Sequence, residues 1–146
     1  MAIVGLLMGM LFTVMAQMRT QARRSRAASE AVQIATAWEG YLGDYHRLPF
    51  ASGVMRGDPV RILGGQTGDN NDNPRRIVYL DVSRELEDDP PELLDPWGEP
   101  YRFRLNADGW VSDPRDGGER LGLHILVWST GPDGENGTND DIFSAN

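Results

Sequence analysis

The stretch AASEAVQIATAWEGYLGDYHRLP (Ala27 to Pro49) decides the reading of this chain. Its large apolar residues Ile34, Trp38, Tyr41, Leu42 and Tyr45 recur at helical spacing and fall on one face. Ala27 and Ala31 carry the stripe back toward the N-terminus, while Glu30, Gln33, Glu39 and Asp44 take mostly the other side. Gly40 and Gly43 weaken the helix locally. Leu48-Pro49 ends it, because a residue before proline is driven out of the helical region. No proline interrupts the preceding residues, so one helix of about 45 residues, on the order of 65 Å, is predicted.

Upstream, MAIVGLLMGMLFTVMAQM (Met1 to Met18) carries no charge. An all-round apolar helix at the end of a small acidic domain needs a membrane or a bundle to hide in. It is somewhat short for a span of about 20 residues but runs helically into the next segment. Arg19, Arg23, Arg24 and Arg26 follow it as a basic neck. Taken alone, the positive-inside rule places that side of the membrane in the cytoplasm. The division expected is therefore 1–26, an apolar half-helix with its neck, and 27–146, a globular domain.

The chain has 146 residues, a net charge of −8 and 40% hydrophobic residues, which suits one domain with an appended segment. Beyond residue 28 stand ten arginines and all 22 acidic residues, a net of −12. That balance argues against nucleic-acid binding, which needs a basic face. With no cysteine, disulfides, thiolate metal sites and cysteine nucleophiles are excluded.

After the helix, residues 50–75 are turn-rich, and GDNNDN (Gly68 to Asn73) reads as a solvated surface loop. RIVYLDV (Arg76 to Val82) is a strand candidate. ELEDDPPELLDP (Glu85 to Pro96) has room for one helical turn around Leu93. YRFRL (Tyr101 to Leu105) alternates cleanly, and GWVS (Gly109 to Ser112) is expected to pair with it across the turn NADG. LHILVWS (Leu123 to Ser129) is the most apolar strand and is placed centrally. The fold class predicted is α+β: a long N-terminal helix, apolar in its first half, packed on a small antiparallel sheet of three to four strands.

No GxSxG, P-loop or HExxH occurs, and neither His46 nor His124 has a nucleophile or carboxylate at a telling spacing. The expectation is a protein that is not an enzyme. In DPWGEPY (Asp95 to Tyr101), Asp95 is expected to close a rigid turn and Trp97 and Tyr101 to anchor packing. The C-terminal WSTGPDGENGTNDDI brings Asp133, Asp140 and Asp141 into one glycine-bearing loop. Like charges there repel. A calcium ion, which takes six to eight oxygens in loose geometry, would offset them; a flexible acidic tail is the other reading.

Three stretches together resemble the type IV pilin superfamily, and most closely the major pseudopilin of bacterial type II secretion systems. They are the apolar-to-amphipathic helix ending in YLGDYHRLP, the turn and strand DPWGEPYRF, and the loop STGPDGENGTNDDI. The resemblance implies a calcium shell from the side chains of Asp133, Asp140 and Asp141, completed by backbone carbonyls near Thr130, Glu135 and Thr138. It implies a pilin-like fold and a structural subunit that waits in the inner membrane, with its globular domain in the periplasm. Such a subunit is assembled into a helical homopolymer with minor pseudopilins by an inner-membrane platform. By the resemblance, the family's basic leader, peptidase site and early glutamate are expected either to precede Met1, or to be lacking, with Met1 the mature terminus and Gly5 where the glutamate would stand. An adhesive type IV pilus subunit and a membrane-anchored periplasmic ligand-binding module are the alternatives.

Overall fold

The structure is a computed structural model that describes residues 2–115 and 118–145, with side chains described from residue 17 onward. Helix α1 runs from Ala2 to Tyr45. It is followed by β1 (Ser52–Val54), α2 (Asp58–Leu63), a 3-10 turn at Glu85–Glu87, β2 (Arg102–Leu105), β3 (Val111–Ser112), β4 (Arg120–Leu121), β5 (Ile125–Ser129) and β6 (Ile142–Phe143). The architecture is α+β, as expected. One antiparallel sheet has the order β1-β2-β5-β6, and β3 and β4 form a second, two-stranded one.

Along α1, every residue from Gln17 to Arg26 is exposed, and burial begins at Ala27. From there the predicted stripe packs on the sheet. Ala27, Ala31, Ile34, Trp38 and Tyr41 are buried. Trp38 sits 5.8 Å from Phe103 of β2 and 5.7 Å from Tyr41, ring centroid to centroid. The helix stops where His46 turns into the left-handed region (φ 52°) while its N–H still reaches the Leu42 carbonyl.

All five residues of β5 are buried, which accounts for the unbroken apolar run in the sequence. Ile125 and Val127 join the core under α1. Leu126 and Trp128 face the other way, into a smaller cluster with Val111 and Phe143. β5 is thus central, with β2 on one side and β6 on the other.

Several local expectations are corrected. Val111–Ser112 pairs with Arg120–Leu121 rather than with β2, because β2 gives its two edges to β1 and β5. The NADG turn forms, with the Gly109 N–H on the Asn106 carbonyl, but it leads into the smaller sheet. RIVYLDV is not a strand. Only Val78 bridges, to Gly64, and the Tyr79 and Leu80 N–H groups both bond to the Leu63 carbonyl. Tyr79 and Leu80 pack against the core and Val82 is buried in it, while Val78 is exposed. The helical turn in the acidic segment lies at Glu85–Glu87, while Leu93 is extended, exchanging backbone bonds with Met55 and Tyr101.

GDNNDN is solvated only in part: Asp69, Asn70 and Asn71 are exposed, but Asp72 and Asn73 are 6% and 0% exposed. Asn73 fills its bonding capacity. Its amide donates to the carbonyls of Ile62 and Ile77, and its oxygen accepts from the Ile77 N–H and the Tyr45 hydroxyl. Tyr41 donates to the Asp72 carbonyl, and Arg47 pairs with the Asp72 carboxylate. The tyrosine-rich end of α1 therefore clamps the segment that follows it. α2 also lies in the stretch read as turns; its signal was Asp58-Pro59, a helix start with proline in the first turn.

Candidate functional site

The C-terminal loop begins where β5 ends, at Ser129. Asp95 anchors it from outside. Asp95 is 6% exposed, and its Oδ1 accepts the backbone N–H groups of Trp97 (2.9 Å) and Glu99 (3.0 Å), closing the rigid turn as expected. Its Oδ2 accepts the Ser129 hydroxyl, whose oxygen in turn accepts the Gly131 N–H at 3.0 Å. Of the two aromatic anchors, Tyr101 is buried and Trp97 only half-buried. The Tyr101 hydroxyl donates to Glu30 of α1 at 2.6 Å. That bond and its burial push the phenol pKa well above its ordinary range, burial being the larger cause.

Within the loop the acidic side chains fold back onto backbone donors. Asp133 Oδ1 accepts the Glu135 N–H at 2.8 Å, and Asp141 Oδ2 accepts the Gly137 N–H at 2.8 Å. Asp140 accepts the Thr138 hydroxyl at 2.6 Å through Oδ1 and the Asp133 N–H at 3.2 Å through Oδ2. The Thr138 hydroxyl holds the Asp140 carboxyl below the usual carboxylate range. Asp141 goes the other way: burial raises its pKa, and the charges of Asp140 and Asp133 add to the rise. Trp128 reaches over from β5 and donates its indole N–H to Asn136 at 2.9 Å.

Two oxygens at this end are buried without a hydrogen-bond partner: Asp141 Oδ1 and Thr130 Oγ1. Such groups ordinarily find partners, because an unmet buried acceptor is costly. Gly131 is held at φ 67°, and a β-carbon there would lie 2.4 Å from the Asp140 carbonyl oxygen and 2.9 Å from its Oδ2. The two arms of the loop are in backbone contact at that point. Glu135 is exposed and Thr138 half-buried. Among the described residues, no group of three or more Asp, Glu, His or Cys side chains is placed to hold a metal ion as it stands. The loop's side chains and carbonyls are hard oxygen donors, the type that suits calcium.

The chain's two histidines, treated separately in the sequence, line one open groove with Glu39 and Leu42. His46 caps α1, and His124, exposed just ahead of β5, lies with Nδ1 3.2 Å from the Asn106 carbonyl. Only the tertiary fold brings them to one place.

Among the described residues no helix is long and apolar enough to cross a membrane. The Met1–Met18 segment, on which the membrane expectation rests, has its side chains up to residue 16 outside them. No protein-family model, characterised protein or solved structure matches this chain.

Proposed function

We propose that this chain is a structural subunit of a helical filament of the type IV pilin kind, with the pseudopilus of type II secretion as the nearest analogue. The observation that carries the reading is the arm of α1. From Gln17 to Arg26 every residue of the helix is exposed, and a helical arm with so little cover from its own domain is held in place by something else. In a filament that arm packs beside the arms of other copies, and before assembly its apolar start sits in the inner membrane. The globular part, a helix packed on an antiparallel sheet, then lies in the periplasm and faces outward. Minor subunits and an inner-membrane platform are the partners this role requires.

In this reading the C-terminal loop is a calcium site. Asp133, Asp140 and Asp141 supply carboxylate oxygens, and the carbonyls near Thr130, Glu135 and Thr138 complete the shell. The unpartnered Asp141 Oδ1 and the raised pKa of that carboxyl support the fit, since both mark a place where a cation relieves an electrostatic penalty. Bound calcium would offset the mutual repulsion of the three aspartates.

A thermal melt of the full chain in detergent, with EGTA or with millimolar calcium, tests the loop. Binding confined to the folded state adds about 2.7 kcal/mol at a hundredfold excess over Kd. A rise of several degrees that vanishes in Asp140→Ala is expected, and no rise would remove calcium from the proposal. Electron microscopy of the same preparation tests the filament. Particles that stay single at all concentrations, with and without calcium, would count against the subunit role.

A further inference from the structure

Among the described residues, the neck arginines have one acidic partner between them. Arg26 pairs with Glu30 at 2.7 Å, but Arg19, Arg23 and Arg24 make no ion pair among the described residues. Met18, 67% exposed, stands beside them as an apolar side chain without cover. On the body of the same molecule lies a cleft of about 380 Å³ between α1 and the segment after α2. Its floor is apolar, made by Ile34, Leu80 and Leu93, and its rim carries Asp81, Glu85 and Asp88. Five carboxylates against two guanidiniums line it, and among the described residues none of those three rim carboxylates is in an ion pair.

We infer that this cleft receives the basic neck of a second copy of the chain, with Met18 against the apolar floor and Arg19, Arg23 and Arg24 against the acidic rim. The inference rests on the filament reading and specifies the surface it uses. The two faces are complementary in both respects that matter: cation against anion, and one exposed apolar side chain against an apolar floor of which Leu80 and Leu93 are half-buried. The neck adjoins the cleft through Arg26, and under the filament reading each copy offers its neck to one neighbour and its cleft to another, so the contact is head-to-tail. Each copy that offers its neck keeps a cleft free for the next, and an open-ended contact of this kind propagates into a helical array rather than closing as a dimer. Part of the attraction is between exposed charges and should weaken as salt shortens the screening length.

The chain has no cysteine, which makes disulfide trapping clean. The full chain carrying both Arg23→Cys and Asp88→Cys is oxidised in detergent. Two chains each carrying one of the changes are oxidised together and apart. A ladder from the doubly substituted chain is expected, with mixed dimers from the pair and little product from either alone. Self-association is measured in parallel by sedimentation for Arg19→Glu/Arg23→Glu/Arg24→Glu and for Asp81→Arg/Glu85→Arg/Asp88→Arg. Each should associate about tenfold or more weakly by itself and recover when the two are mixed. All these positions are exposed or half-buried, and unchanged thermal melts would show that both variants fold. If both variants polymerise as the parent does, the docking surface is wrong while the filament reading stands. Neck reversal that abolishes binding to anionic vesicles but leaves self-association intact would also overturn it, in favour of a lipid surface. A parent chain that never self-associates would sink the inference and the filament reading together.

Discussion

Ser129 donates its hydroxyl proton to Asp95 Oδ2 across 2.5 Å, joining two segments 34 residues apart. Asp95 closes the turn that launches β2, and Ser129 is the last residue of β5 before the acidic loop. The turn and the loop are thus one hydrogen-bonded unit, and disturbing the first should loosen the second. Asp95→Ala removes the acceptor of three donors in a buried place. We expect a loss of about 3–5 kcal/mol in chemical denaturation. Asp95→Asn keeps an oxygen for the Trp97 and Glu99 N–H groups and should lose about half as much. Equal losses would mean that the turn bonds carry little.

Gly131 tests the closure of the loop. At φ 67° it occupies the left-handed region, and an added β-carbon would strike the Asp140 carbonyl. Gly131→Ala should lower stability by about 1–3 kcal/mol through backbone strain alone. It should also abolish any calcium-dependent rise in melting temperature, because the two arms would be forced apart. A variant that melts like the parent and keeps the full calcium response would show that the close approach is dispensable.

Asn73 holds the segment after α2 against the end of α1 with four hydrogen bonds and no exposed surface. Asn73→Ala leaves the Ile62 and Ile77 carbonyls without their donor. The expected loss is about 2–4 kcal/mol. Asn73→Asp should be at least as damaging, since it sets a carboxylate against two carbonyl oxygens. Faster amide exchange at Ile77, relative to β5, would show that the loss is local to this clamp.

Asp113 is 6% exposed, and the side-chain hydrogen bonds from Arg115 hold its carboxyl below the usual range. A depressed folded pKa makes the contribution fully present above the unfolded value, about 3.9, and removes it as pH falls through the folded one. Asp113→Asn should therefore cost about 1–2 kcal/mol at neutral pH. The gap from the parent should be constant down to about pH 5 and narrow below pH 4. A gap independent of pH down to strong acid would assign the effect to packing rather than charge.

α1 was legible along its whole length because its signals are local: apolar spacing, absence of proline, and the Leu48-Pro49 stop. β2 was legible through alternation, with Phe103 and Leu105 buried and Arg102 and Arg104 between them. The short elements were not. β1 and β6, of three and two residues, carry too few side chains for a period and exist because β2 and β5 offer them edges. The same holds for GDNNDN, whose composition is that of a surface turn. The burial of Asp72 and Asn73 within it follows from Tyr41, Tyr45 and Arg47 reaching back from the helix. For the site, the sequence named the residues of the acidic loop, but not the bond from Asp95 that anchors it, nor the unpartnered oxygen of Asp141.

By itself, then, the sequence determined the long helix, the uneven charge between neck and body, the α+β class and the residues of the acidic loop. All of these depend on neighbours within a turn or two of chain. Tertiary structure alone decided which strands pair, that Asn73 is interior, that the two histidines share a groove, and that an acidic cleft lies beside a basic arm. Those outcomes depend on which distant group meets each backbone or side-chain donor and acceptor, and no local pattern encodes that choice.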